Sequence, residues 1–150
     1  MMSTSDGISA QDWAHVREFA EQIVELTSQD VDASLRVTSL LEFLDVLEEN
    51  YGRLPSILAT RADYVATDTE KLSLLKEGYV LADEIGDHKN RAYISCDIAE
   101  YYSNETDDQH KTKYWVAQLR SNLKGHKDPF LERQLNELAG SVDSANIDIE

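Results

Sequence analysis

The chain has 150 residues and a formal net charge of −15, from 29 Asp and Glu against 14 Lys and Arg. This charge disfavours direct binding to nucleic acid or to an anionic membrane, and the lone Cys96 excludes an intramolecular disulfide. The hydrophobic content of 41% is sufficient for a folded core, which excludes a wholly disordered chain.

Apolar residues recur at steps of three and four along most of the chain, which predicts an all-α protein. The expected helices cover residues 9–27, 33–49, 55–66, 67–85, 89–103, 109–123 and 129–139. The apolar-rich helix over 33–49 is expected to be nearly surrounded by neighbours. Residues 1–8 and the acidic tail over 140–150 are expected to be disordered, so the sequence predicts a single domain over 9–139.

One segment occurs twice, at a spacing of 37 residues. Residues 56–64 are echoed by residues 93–101, so that Ile57 falls on Ile94 and Ala62 falls on Ala99. Recurrence of size and polarity at one fixed offset is typical of stacked helical repeats. The echo therefore predicts a repeat protein, a class that usually presents a surface to other proteins.

The segment over residues 72–87, followed by residues 91–102, carries further ordered details. Small or aromatic residues stand at set places in the paired helices, at Ala62, Tyr79, Ala82 and Ala99. In these details the chain resembles the tetratricopeptide repeat, especially its longer variants. The resemblance implies a right-handed superhelix of about three helix pairs with a C-terminal capping helix. The alternative is a coiled coil or helical bundle, which predicts the same apolar faces but does not require the small residues to recur.

Residues that could carry chemistry are sparse. No glycine-rich phosphate loop occurs, and no histidine has a second His or Cys at metal-ligand spacing on a helix. Cys96 aligns with Ala59 in the echo, which favours packing over nucleophilic catalysis. We therefore predict no catalytic residue, no cofactor and no metal, and a protein that is not an enzyme.

Two short turns share a pattern. His88-Lys89 and His126-Lys127 each follow a glycine that ends a repeat unit. We interpret these four as exposed turn residues in equivalent places.

The first helix of each pair is expected to line a concave binding surface. Its off-core residues in the two echoed helices are Ser56, Thr60, Asp63, Tyr93, Asp97 and Glu100. Acidic residues beside a tyrosine favour a basic or amphipathic peptide, with the carboxylates orienting it and the ring supplying contact area. The leading hypothesis is an adaptor or chaperone-like interaction module with such a groove.

Two other function classes stay open. The acidic first half, through Glu42, Asp45 and Glu49, suits an inhibitor or immunity-type protein that blocks a basic toxin or nucleic-acid-binding partner. A peptide-sensing regulatory domain is the third hypothesis. The chain lacks a signal segment and a membrane-length apolar run, so a cytoplasmic location is expected. A homodimer through the exposed repeat ends is also left open.

Overall fold

The computed structural model describes residues 3–149, with side chains through residue 142. The described part is built of helices without any strand, so the all-α prediction is confirmed. The helices are α1 (Ala10–Ser28), α2 (Ser34–Tyr51), α3 (Pro55–Ala62), α4 (Asp68–Ile85), α5 (His88–Glu105), α6 (Gln109–Asn122) and α7 (Pro129–Ile149).

Most helix boundaries fall where capping chemistry predicts them. The Ser9 hydroxyl accepts the Asp12 amide hydrogen at the start of α1, and Pro55 opens α3. Gly86 follows α4 with a backbone φ of 71°, a left-handed conformation that glycine adopts at little cost. Helix α3 ends at Ala62, four residues before its expected end at 66. There the amide of Asp63 turns back to the carbonyl of Thr60, an i to i+3 bond that tightens and ends the helix.

The chain divides into two compact units, residues 1–74 and 75–150, with the boundary inside α4. In the first unit α2 packs against both α1 and α3. The core of this unit contains Ile8, Val16, Ile23, Leu40, Leu44, Leu47 and Ile57. Leu35 and Val46 of α2 are exposed, so this helix buries one face and is not nearly surrounded as expected.

The segment before α1 is ordered from residue 3 onward, which corrects the expected disorder of residues 3–8. The amide of Ile8 donates to Thr4 Oγ1 across 2.8 Å, and the Ile8 side chain is fully buried. Asp6 accepts hydrogen bonds from the amide and the hydroxyl of Ser56. The buried Ile8 side chain and the Asp6 carboxylate thus hold this segment against the rest of the first unit. Met1 and Met2 lie outside the described residues.

In the second unit α5, α6 and α7 pack against one another. Their shared core combines small residues of α5 with larger residues of its neighbours, namely Ala92, Cys96, Ala99, Val116, Leu119, Leu131 and Leu138. Small side chains on α5 let the neighbouring helices approach closely, so burial is achieved without large residues on every helix.

Helix α7 continues ten residues beyond the end expected at 139. Leu138 and Val142 are both buried and stand four residues apart, so the apolar face extends by a further turn. The helix covers most of the segment expected to be a disordered tail. The side chains of residues 143–150 lie outside the described residues.

Burial recurs along the echo. Ile57 and Ile94 are fully buried, as is Leu131 a further 37 residues on at 1% exposure, and Ala62 and Ala99 are buried as well. These positions therefore pack as the echo requires. The tetratricopeptide assignment, the superhelix and its three pairs stay predictions.

Candidate functional site

The predicted binding residues of the first unit are largely used inside the fold. Ser56 is buried and its hydroxyl donates to Asp6 Oδ1 across 2.9 Å. The Thr60 hydroxyl donates to the Ser56 carbonyl across 2.8 Å. Asp63 is exposed just past the end of α3. Of the three residues, only Asp63 is exposed to solvent. Ser56 is covered by the segment before α1, through its hydrogen bonds to Asp6.

The predicted residues of the second unit stand on one face of α5. Tyr93, Asp97 and Glu100 are spaced at i, i+4 and i+7, and each is half-buried. The Tyr93 hydroxyl donates to Asp128 Oδ2 across 3.0 Å. The Cys96 thiol donates to Glu100 Oε1 across 3.4 Å. This face therefore combines fixed side chains with partial exposure, which a binding surface requires.

Helices α5 and α7 run side by side in the same direction. Near their starts Tyr93 of α5 reaches Asp128, whose carboxylate also accepts the Leu131 amide hydrogen and so caps α7. Further along, residues of both helices line one open groove of about 320 Å³, which we name the α5–α7 groove. It is lined by Glu100, Ser103, Asn104, Gln134, Glu137, Leu138 and Ser141.

The α5–α7 groove is polar and negatively charged. Glu100 lines it from α5 and Glu137 from α7, while none of its lining residues is Lys or Arg. Glu100 also lies in the last two turns of α5, where the exposed carbonyl groups add negative potential. The groove is therefore suited to cationic or hydrogen-bond-donating groups. Sequence reasoning found Glu100 but missed Glu137, although Glu137 stands 37 residues after Glu100 and the echo offset could have found it.

The alternative acidic face lies on α2. Glu42, Asp45 and Glu49 are all exposed at i, i+3 and i+7. Asp45 pairs with Arg61 across 2.7 Å, and the same guanidinium lies 3.7 Å from Glu48. Part of the negative charge on this face is therefore neutralised within the first unit.

A second cavity lies where α5 and α7 begin and α6 ends. It has a volume of about 270 Å³, and we name it the two-histidine cleft. Its lining includes His88, Lys89, His126 and Lys127, all four exposed as predicted. The rings of His88 and His126 stack with centroids 4.9 Å apart. The sequence placed all four in turns, but His88 and Lys89 begin helix α5, whereas His126 and Lys127 lie in the connection between α6 and α7. Folding brings the start of α5 into contact with this connection.

Cys96 is buried in the core of the second unit. Burial is the main reason that the pKa of this thiol lies well above its usual range, and the neighbouring Glu100 carboxylate raises it further. A thiol with a raised pKa is protonated at neutral pH and is a poor nucleophile. This supports packing rather than catalysis.

The described residues contain neither a candidate metal site nor a candidate membrane-spanning helix. Among these residues there is no cluster of three or more His, Cys, Asp or Glu side chains that could bind a metal ion. The same residues contain no helix with the length and apolar content needed to cross a membrane.

Comparison of the chain with protein-family models, with curated proteins and with solved structures finds no match.

Proposed function

We propose that this protein is a cytoplasmic interaction module that binds a basic or amphipathic segment of a partner protein in the α5–α7 groove. The observation that carries the proposal is the position of Glu100 and Glu137, which line one groove from two helices that run side by side. Two carboxylates held on separate helices can orient a cationic segment, while the amides and hydroxyls between them supply hydrogen bonds. An adaptor or chaperone-like role fits this surface.

The site differs from the one expected from sequence. Glu100 is retained and Glu137 is added, while Asp97 does not line the groove. Ser56 and Thr60 are left out because their hydroxyls bond within the first unit. Tyr93 is assigned to holding α7 in place through its hydrogen bond to Asp128.

Charge reversal tests the groove directly. The double variant Glu100→Lys with Glu137→Lys places two cations in the groove, and we expect partner binding to fall at least about a hundredfold, since like charges at an interface cost several kcal/mol. The matched control is Glu105→Lys with Glu132→Lys, which makes the same change in net charge at exposed positions of the same two helices outside the groove. Circular dichroism should show equal helicity in both.

The partner is to be isolated by affinity purification from the native cell with wild-type protein and both double variants as baits. A specific partner should be retained by the wild type and by the control, and lost by the groove variant. Binding of the purified partner should then weaken with added salt. Equal retention by all three baits would contradict the α5–α7 groove as the binding site.

A second candidate function rests on the acidic face of α2. The exposure of Glu42, Asp45 and Glu49 favours an inhibitor that presents carboxylates to a basic toxin or nucleic-acid-binding partner. Reversal of these three residues would then abolish binding while the groove variant binds normally. The two candidates therefore give opposite results with the same set of variants. In a peptide-sensing role, binding would also rearrange the helices. That rearrangement would alter the hydrogen exchange of backbone amides far from the groove.

A further inference from the structure

The two-histidine cleft differs in charge from the rest of the molecule. The chain carries a net charge of −15, yet the mouth of this cleft holds two lysines and two histidines. Among the described residues neither Lys89 nor Lys127 forms an ion pair. Cationic side chains are thus gathered at a cavity in a protein that has a large excess of carboxylates available to neutralise them.

One carboxylate, Asp128, lines the cleft itself, and Asp87 directly precedes His88; both are engaged in helix caps. Asp87 is buried and accepts hydrogen bonds from the amide and the side-chain amide of Asn90. Asp128 accepts from the Leu131 amide and from the Tyr93 hydroxyl. Both act as helix caps, and their oxygens point to these donors. The lysine ammonium groups therefore keep their hydrogen-bonding capacity for a ligand.

The histidines add further donors. The Arg91 guanidinium contacts the His88 ring at Nδ1. Arg91 is in turn held by Asp83 across 2.8 Å. The stack with His126 places a second imidazole beside it.

The remaining wall of the cleft is apolar. Ala92 lines it from the start of α5, Leu123 from the end of α6 and Leu131 from the start of α7. A volume of about 270 Å³ is larger than a single oxyanion needs, so there is room for carbon atoms of a ligand against these side chains.

We propose that the two-histidine cleft binds an organic oxyanion, a phosphate ester or a carboxylate whose charged group meets Lys89 and Lys127 and whose carbon body contacts the apolar wall. This site is separate from the α5–α7 groove and does not depend on the function proposed for that groove.

The test is a titration of the full chain followed by amide ¹⁵N–¹H NMR, at neutral pH and with ionic strength held constant by sodium chloride. The probes are inorganic phosphate, phenyl phosphate and benzoate. We expect saturable shifts confined to residues 87–93 and 122–131. Both aromatic probes should bind more tightly than inorganic phosphate because of the apolar wall, and the ratio of phenyl phosphate to benzoate identifies the preferred oxyanion.

Variants decide whether the cleft is responsible. Lys89→Gln with Lys127→Gln should weaken phenyl phosphate binding at least about tenfold, since two charge-assisted hydrogen bonds are lost. The matched control is Lys113→Gln with Arg133→Gln, two exposed cations of α6 and α7 that do not line the cleft. It should bind as the wild type does.

Three results would overturn the proposal. Shifts that do not saturate, shifts scattered over the surface, or equal weakening in the cleft variant and the control would each indicate nonspecific attraction. The amide spectrum also reports folding, and the single variants Lys89→Gln and Lys127→Gln replace the double variant if its spectrum loses dispersion. Unchanged affinity in both single variants would overturn the proposal as well.

Discussion

Tyr93 donates its phenolic hydrogen to Asp128 across 3.0 Å and thereby joins the first turns of α5 to the capping residue of α7. The hydrogen bond sets the start of α7 beside the start of α5, and the two helices then run together toward Glu100 and Glu137. Both residues line the two-histidine cleft, and the two helices that they join line the α5–α7 groove, so the bond contributes to the geometry of both.

Replacing Tyr93 by Phe should lower the midpoint of urea unfolding. The loss of one partly buried hydrogen bond corresponds to about 0.5–1.5 kcal/mol. Tyr114→Phe is the control, because Tyr114 is exposed. The pKa of Tyr93 is raised by burial and by its bond to Asp128, so Asp128→Asn should lower it toward the usual value in a tyrosine NMR titration. An unchanged pKa would contradict this contact.

Asn122 should be the most sensitive polar residue of the second unit. Its side-chain amide donates to Tyr79 Oη, Ser95 Oγ and the Arg91 carbonyl, at 3.2, 3.3 and 3.4 Å. Asn122→Ala removes the amide hydrogens from Tyr79 Oη and Ser95 Oγ in a semi-buried place and should cost about 2–3 kcal/mol. Asn136→Ala, at an exposed position of α7, should cost less than about 0.5 kcal/mol. Denaturant unfolding measures both, and equal costs would show that the hydrogen bonds of Asn122 contribute nothing.

Ile8 should anchor the segment before α1. Its side chain is fully buried, so Ile8→Ala should destabilise the first unit by about 2–4 kcal/mol through lost burial and a residual cavity. Ile85 is 55% exposed, and Ile85→Ala is expected to change stability by under about 1 kcal/mol. Hydrogen exchange of the Ser56 amide, which donates to Asp6, reports the loosening directly. Unchanged protection of that amide in Ile8→Ala would argue against the anchor.

Cys96 should resist thiol reagents in the native protein. The side chain is 2% exposed, and its raised pKa keeps the thiolate fraction negligible at neutral pH. Modification should therefore proceed only on unfolding, with a rate that follows the unfolded population, and should increase as pH rises toward the ordinary thiol pKa of about 8.5 that applies in the unfolded chain. Fast modification of the folded chain at neutral pH would show that the thiol is accessible and ionised.

The sequence by itself determined the helices and much of their packing. Apolar periodicity and capping residues such as Ser9 and Pro55 act through bonds and contacts within a few residues, so the elements could be read locally. The echo predicted a shared packing position for Ile57 and Ile94, because size that recurs at a fixed offset reflects such a position. Glu100 was identified as an off-core residue of the same helix as Ile94.

Only the tertiary structure decided which surfaces are available. Asp6 accepts a hydrogen bond from the amide of Ser56, which lies 50 residues further along the chain. No local sequence pattern predicts a hydrogen bond between residues so far apart. The stack of His88 on His126 likewise depends on how α5, α6 and α7 pack, since that packing places the start of α5 against the connection before α7, 38 residues further along the chain. Local sequence fixes backbone conformation through short-range forces, whereas the grooves and clefts arise from long-range packing of whole helices.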